Sequence, residues 1–331
     1  MSAPEVMLAC RQLTVTYAPT GAMPLRSRRN TVQALRGIDL DIYAGETLAL
    51  VGESGSGKST LARTLVRSIR PSSGNLVFKG SDITVLSGRA LRALRRHLQI
   101  IFQDPFGSLN PRLSVGAAVA EPLIVHGLAR GRELQARVAE CLALVGLDGS
   151  VANRRPHEFS GGQRQRICIA RALACQPEFI AADEVLSALD LSLRAQMLDL
   201  FRQLKERLSL TYVFISHDLG VVRQISDRVA VMYLGRLVEL APTSDLYVHP
   251  MHPYTNALLA AIPIPDPAIE RSRQYTPLHG EPPSPANPPM GCAFHTRCPR
   301  AVERCRIEAP ELRELTPGHW VACHRPHRDD S

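Results

Sequence analysis

Apolar residues follow two rhythms along this chain. Between about residues 45 and 235, short continuous apolar runs alternate with segments whose apolar positions recur at helical spacing. The short runs read as strands buried on both faces, and the periodic segments read as amphipathic helices. "TLALVG" (47–52), "LQIIFQ" (98–103), "EFIAAD" (178–183) and "LTYVFISH" (210–217) are the strands. A helix at about 191–208 precedes the last of these, and "RVAVMYLGRLVEL" (228–240) reads as a hairpin turning at Gly235. Strands alternating with helices predict an α/β fold, a parallel sheet with crossover helices. Residues 104–158 break the rhythm with a Pro/Gly-marked loop followed by Ala- and Leu-rich helical segments, a mostly helical insertion. After about residue 242 the composition shifts: prolines crowd into 263–289, and four of the eight cysteines fall at 292–323. That region reads as a small appendage on a stiff, Pro-rich connection.

Length and charge refine this picture only slightly. The 331 residues suffice for one large domain and a smaller one. The longest stretch without Asp, Glu, Lys or Arg, Leu246–Pro265, is interrupted by Pro250, Pro253 and Pro263, so it predicts a short helix at Tyr254–Ile262 and not a membrane span. The opening "MSAPEVMLACRQ" lacks a basic start followed by an apolar core, so no secretion signal is expected and the thiols should be reduced. The formal charge of +8 fits contact with nucleic acid or an anionic membrane face. Much of it comes from arginines on presumptive helix surfaces such as "RALRALRRH" (89–97), with no basic aromatic platform beside them. A nucleic-acid role is not expected.

The chemistry concentrates at strand ends. "GESGSGKST" (52–60) fills every fixed position of the phosphate loop: Gly52, Gly57, Lys58 and Ser59, with Ser54, Gly55 and Thr60 alongside. Glycines let backbone N–H groups wrap phosphate oxygens, Lys58 places a charge on the β- and γ-phosphates, and Ser59 offers a hydroxyl to Mg²⁺. Asp183 and Glu184 follow the apolar run "FIAA"; Asp183 suits a carboxylate that holds Mg²⁺ and Glu184 one that polarises the attacking water. Gln103 and His217 end two further strands at the same edge, within reach of the metal, the water or the γ-phosphate. "SGGQ" (160–163) opens a helix with two adjacent glycines, which is a second anion cradle in one chain.

In this order, the phosphate loop, Gln103, "SGGQ", Asp183–Glu184, "SALD" (187–190) and His217 resemble the ATP-binding-cassette ATPases over about residues 5–245. The resemblance implies a RecA-like parallel core with an antiparallel β subdomain and a helical subdomain at about 104–165. It implies ATP and Mg²⁺ at Ser59, Gln103 and Asp183, and hydrolysis by Glu184 with His217 and Gln103. It also implies two cassettes packed head to tail. Ser160, Gly161, Gly162 and Gln163 would then cap the ATP held by a partner, with Asp190 at that interface and Tyr17 stacked on adenine. "QDPFGSLNPR" (103–112), "PHEFSGGQRQR" (156–166), "YVFISHDLGVV" (212–222), "HPYTNALLAAIP" (252–263) and "GEPPSPANPPMGCAFHTRC" (280–298) narrow the likeness to ATPase subunits of dipeptide and oligopeptide importers. It is closest to the second of their two ATPases.

That narrower resemblance implies a cassette at 1–245 and an oligopeptide-transporter-type region at 246–331. The implied partners are a sister ATPase (or a second copy of this chain), two transmembrane permease subunits and, through them, a solute-binding protein. The implied location is the cytoplasmic face of the inner membrane. Related importers carry nickel, opines or antimicrobial peptides, and a soluble cassette acting on nucleic acid or ribosomes is a more distant alternative. The chain departs from the family pattern at Ala181 and Ala182 before Asp183, at Val185 after Glu184 and at Phe159, none of which removes a chemical group.

Cys10, Cys141, Cys168 and Cys175 read as small buried hydrophobes. Cys292, Cys298, Cys305 and Cys323, with five, six and seventeen residues between them, lie in a segment with little apolar material of its own. Packed free thiols, zinc (with His295, His319 or His324 as further ligands) and an iron–sulfur cluster are open readings of those residues. Importers with similar tails imply a structural [4Fe–4S] cluster, with zinc second.

Overall fold

A computed structural model describes residues 4–18, 31–262 and 280–327. Of the Pro-rich stretch read at 263–289, residues 263–279 lie outside them.

The strands are β1 (Val6–Tyr17), β2 (Val32–Tyr43), β3 (Thr47–Val51), β4 (Ser73–Phe78), β5 (Ser81–Asp82), β6 (Leu98–Ile101), β7 (Phe179–Asp183), β8 (Thr211–Ile215), β9 (Arg228–Tyr233), β10 (Arg236–Pro242), β11 (Arg313–Thr316) and β12 (His319–Val321). Among the described residues they form two sheets, of order β2-β1-β4-β5 and β11-β12-β10-β9-β3-β8-β7-β6. The first is antiparallel. In the second, β6, β7, β8, β3 and β9 run parallel, and β10, β12 and β11 add antiparallel strands at one edge. The parallel core is the α/β fold expected from the alternating pattern, and the separate antiparallel sheet is what the resemblance implies.

The parallel strands are buried on both faces, which is why they read as unbroken apolar runs. Tyr212 and Phe214 of β8 and Ile180 and Ala182 of β7 face a core shared with the helical insertion. Their neighbours Val213, Ile215, Phe179 and Ala181 face a second core toward the antiparallel sheet. On β3, Leu48 and Leu50 join that second core, while Ala49 and Val51 join a third that also holds Tyr254 and Phe294.

The helices that matter for the site start where turn chemistry permits. Helix α1 (Lys58–Leu65) follows β3 directly. The insertion contains α2 (Pro105–Ser108), α3 (Val115–Val125) and α4 (Gly131–Leu144), leading to α5 (Gly161–Leu173). Helix α6 (Leu191–Leu208) is capped by Asp190, whose carboxylate accepts from the Leu193 N–H at 2.9 Å, and it buries Met197, Leu198, Phe201 and Leu204 against β8 and its neighbours. Helix α7 (Pro253–Ala260) stands where the sequence places Tyr254–Ile262. Its N-cap is His252, whose Nδ1 accepts from the Tyr254 N–H at 3.0 Å.

Candidate functional site

The parallel strands end at one edge of the sheet, and the loops leaving them carry the reactive side chains. The phosphate loop turns where only glycine fits. Gly52 has φ +143°, and a Cβ there would stand 2.2 Å from the Met232 carbonyl oxygen. Gly57 has φ +106°, and a Cβ there would stand 2.5 Å from the Ala34 carbonyl oxygen. Any other residue would push the backbone out of its shape. Gly57 caps α1 without a side-chain acceptor, so the helix presents its first N–H groups and positive dipole end to the loop. Ser54 and Gly55 lie exposed at the loop's crest.

Lys58 is buried, and its ammonium donates to the carbonyls of Gly52 at 2.7 Å and Glu53 at 2.9 Å. Burial lowers its pKa, against the pull of Glu184, Asp183 and Glu53. Asp183 ends β7 and is also buried. Ser59 donates its hydroxyl to Asp183 Oδ1 at 2.8 Å, and Arg63 stands 3.9 Å from Oδ2. Burial raises the Asp183 pKa, opposed by the Ser59 hydrogen bond and by Arg63. A hydroxyl and a carboxylate oxygen side by side are hard donors, the set that Mg²⁺ takes.

Glu184 holds φ +50°, a left-handed backbone unusual for a non-glycine residue, fixed by its N–H donating to the Ile215 carbonyl at 3.1 Å. One oxygen of its carboxylate is the focus of two side chains. Gln103 Nε2 donates to Oε2 at 2.9 Å, and His217 Nδ1 stands 3.6 Å from the same atom. The second distance is a close approach and not a hydrogen bond. Tyr17 is exposed at the end of β1, with its hydroxyl 3.4 Å from that of Thr60. Phosphate loop, Asp183, Glu184, Gln103, His217 and Tyr17 are thus linked, directly or through one neighbour.

The second cradle is built elsewhere. Ser160 caps α5 in a reciprocal box: its hydroxyl accepts from the Gln163 N–H at 3.3 Å, and its own N–H donates to Gln163 Oε1 at 3.0 Å. Gly161 faces open space, whereas a Cβ at Gly162 would meet Leu193 at 3.3 Å. Leu193 is the residue whose N–H Asp190 caps, so the "SGGQ" turn and Asp190 are packed together. Helix α5 packs on the insertion helices and β6, and α1 packs on β2, β6, β7 and β8.

The tail corrects one expectation. Among the described residues, no group of three or more His, Cys, Asp or Glu side chains is placed to hold a metal ion. That finding overturns the expected [4Fe–4S] cluster and leaves the second choice, zinc, without a ligand set; Cys292, Cys298, Cys305 and Cys323 form no disulfide either. Burial pushes the thiols of Cys292 and Cys323 up to about 11 and raises Cys298, and neighbouring tail cysteines add to each shift. The histidines are engaged otherwise. His319 Nε2 meets Glu239 at 2.7 Å, His324 Nε2 meets the Glu308 carbonyl at 2.9 Å, and His295 Nδ1 meets that of Cys292 at 2.9 Å. The physical reason is that the tail borrows a core. Phe294 packs at 5.3 Å from both the Tyr233 and Tyr254 rings, and β12 pairs with β10.

The sequence reading missed three residues that hold the phosphate loop: Glu53, Tyr254 and Arg297. The Glu53 N–H donates to the Tyr254 hydroxyl at 2.7 Å, and Arg297 grips the Glu53 carboxylate at 2.8 and 3.0 Å. These partners lie 201 and 244 residues from Glu53, and no local pattern reports such pairings.

Comparison with known proteins gives the same outline. Residues 35–187 match the family model "ABC transporter", and residues 238–305 match "Oligopeptide/dipeptide transporter, C-terminal region". The chain is 51% identical over 321 residues to the oligopeptide transport ATP-binding protein AppF of Bacillus subtilis, covering 97% of each. It is 52% identical over 300 residues to a Brucella ovis protein named for peptide import and ATP binding, covering 91% of this chain and 94% of that one. Among solved structures, a dimeric ATP-binding cassette in a post-hydrolysis state bound to ADP and Pi superposes with a TM-score of 0.63 at 31% identity, covering 72% of this chain and 99% of that one. CbiO1 from Clostridium perfringens, part of an ABC transporter complex, gives 0.63 at 26% identity, covering 74% and 91%.

Proposed function

The chain belongs to the ABC transporter family, in its oligopeptide/dipeptide branch, and from that premise we propose how it hydrolyses ATP to energise peptide import. The observation that carries the reading is the convergence on one sheet edge of the phosphate loop, the Ser59–Asp183 contact and the Gln103–Glu184 contact.

ATP lies with its phosphates in the loop of residues 52–60 and its adenine against Tyr17. Lys58 leaves the loop carbonyls to meet the β- and γ-phosphates. Ser59, Asp183 and Gln103 would hold Mg²⁺, which would supply neutralisation of charge on the phosphate oxygens. Glu184 accepts the proton of the attacking water, and His217, beside the same carboxylate, orients toward the γ-phosphate. The water oxygen bonds to the γ-phosphorus while the bond to the β-phosphate bridging oxygen breaks, leaving ADP and phosphate.

Ser160, Gly161, Gly162 and Gln163 cap the γ-phosphate of ATP held by a partner cassette, with Asp190 at the same interface. This explains two anion cradles in one chain: ATP binds the subunits together and hydrolysis releases them. The partner is a sister ATPase or a second copy. Residues 1–245 form the cassette and 246–331 the transporter-type tail. Two permease subunits anchor it at the cytoplasmic membrane face, and a solute-binding protein delivers cargo to them. Among the described residues, no helix is long and apolar enough to cross a membrane. The test is isolation of the tagged protein from gently solubilised membranes, then ATP-driven uptake of labelled di- and oligopeptides by the reconstituted complex. Co-isolation of two permeases with peptide uptake is expected. A complex that moves only nickel or an opine would overturn the cargo, and recovery with ribosomes or nucleic acid would overturn the transporter.

A further inference from the structure

Glu53, the second residue of the phosphate loop, is held from three sides. Its N–H donates to the Tyr254 hydroxyl at 2.7 Å, its carbonyl accepts from Lys58 Nζ at 2.9 Å, and its carboxylate receives both Arg297 prongs. Two of these three partners come from beyond residue 245, outside the cassette core. Arg297 is a built contact and not a passing surface pair. Its side chain is only 6% exposed, and Nη1 also lies 3.5 Å from the Tyr233 hydroxyl. Tyr233 packs edge to face with Tyr254 and Phe294, which are tilted against each other, with ring centroids 4.8 to 5.3 Å apart. Bidentate contact with a carboxylate fixes direction as well as distance.

The loop has use for such a clamp. Gly52 and Gly57 hold backbone conformations that no other residue adopts at ease, and such conformations persist only where the surroundings over-determine them. A carboxylate at residue 53 is also a negative charge in the loop that must receive phosphates. Removing Arg297 would take the bidentate cation from that carboxylate in a partly buried place and leave only Lys58, held on the loop carbonyls, nearby.

We propose that Arg297 is a positioning residue of the nucleotide site, through which the C-terminal region holds the phosphate loop in its phosphate-receiving shape and neutralises Glu53. The proposal rests on the ATP-binding reading above and adds that the tail and the site are energetically coupled. By reciprocity, nucleotide in the loop then stabilises the docked tail.

Equilibrium binding of MgATP and MgADP to the full-length chain tests this, for the wild type, Arg297→Met, Arg297→Lys, Glu53→Gln and the double variant Glu53→Gln/Arg297→Met. Arg297→Met should weaken both nucleotides roughly fivefold or more, within the usual range of coupling between sites. Arg297→Lys, which keeps the charge without the two-pronged contact, should lie between. The double variant should recover part of the loss, because it removes the stranded carboxylate, while the remainder reports the lost positioning contact. An arginine that merely anchors the tail would show no such recovery. Hydrogen exchange should quicken in a peptide spanning residues 52–57 of Arg297→Met. Where Arg297→Met fails to fold, Arg297→Lys and the double variant carry the comparison. Folded Arg297 variants that bind both nucleotides like the wild type, or a double variant as weak as Arg297→Met, would overturn the coupling. A wild-type chain that binds no MgATP would overturn the ATP-binding reading itself.

Discussion

Gln103 and Glu184 meet across adjacent strand ends, the amide nitrogen of one donating to the carboxylate of the other at 2.9 Å. Strands β6 and β7 pair in parallel register, so the residues that follow them emerge side by side. The contact ties Glu184, the residue proposed to activate water, to Gln103 at the entry of the loop that leads into the helical insertion.

Glu184→Gln should therefore keep MgATP binding and slow turnover by about 10²- to 10⁴-fold, the usual loss when a general base is removed. Gln103→Ala should slow turnover less, since it removes an orienting contact and one of three proposed Mg²⁺ ligands but leaves the base in place. Both are read as steady-state ATPase rates in the assembled transporter, with the partner cassette's site inactivated. Wild-type turnover by Glu184→Gln would remove Glu184 from the mechanism.

Ser160 and Gly162 should act on a partner's nucleotide. Gly162→Asp would place a carboxylate at the cradle and repel a γ-phosphate brought to it. A Cβ at 162 would meet the Leu193 side chain at 3.3 Å, so Leu193 must shift by a few tenths of an ångström and the variant's fold is checked first by circular dichroism. The isolated variant should bind ATP within about twofold of the wild type while ATP-driven dimerisation and turnover fall by roughly tenfold or more, the scale of 1.4 kcal/mol of repulsion. Loss of nucleotide binding by a folded, isolated Gly162→Asp chain would contradict action on a partner.

What was legible in the sequence follows from how local each feature is. The phosphate loop, the Asp183–Glu184 strand end and the capped "SGGQ" helix each sit within ten residues of chain, and each was placed in the element predicted for it. Gln103 and His217 were legible as strand-end residues because parallel strands deliver their ends to one edge. Their meeting at a single oxygen of Glu184 depends on strand order, which hydrophobic pattern does not encode. The tail was hardest to read. Taken alone it lacks a core, which made a metal staple attractive. Its stability instead comes from Phe294 against Tyr233 and Tyr254, from β12 on β10 and from the buried His319–Glu239 contact, all of them long-range.

The junction between cassette and tail should be acid-sensitive. His252 is wholly buried, and burial lowers its pKa from 6.5 to about 4, with Glu239 opposing and His327 reinforcing the shift. A base with a depressed folded-state pKa lends stability that is present above pH 6.5 and lost as pH falls toward 4, because the unfolded chain takes up the proton first. The loss should reach up to about 3 kcal/mol. Asn is also a good N-cap, so His252→Asn should preserve helix α7 while flattening the fall between those pH values. Denaturant unfolding at pH 7.5 and pH 5 measures it; an equal loss in both proteins would assign the acid sensitivity elsewhere.

The loop after Gln103 should face a permease. Asp104 caps the short helix α2 through the Phe106 N–H at 2.8 Å, which turns Phe106 outward to 64% exposure. Arg164, four residues beyond Ser160, lies over its ring at 4.1 Å, and Arg171 donates to the Ser108 carbonyl. One surface therefore joins the Glu184 contact, the "SGGQ" helix and an exposed aromatic, and a change at the γ-phosphate can move all three together. Exposed aromatics with a cationic neighbour are common anchors in protein interfaces. Cysteines placed at Ser108 or Asn110 should cross-link to a cytoplasmic segment of a permease subunit in membranes, with a yield that changes between ATP-bound and nucleotide-free states. Phe106→Ala should lower peptide uptake by roughly tenfold or more, the scale of a hot-spot residue, while the isolated chain still binds MgATP. Cross-links that capture only the sister ATPase, or uptake that Phe106→Ala leaves intact, would place the permease contact on another face of the cassette.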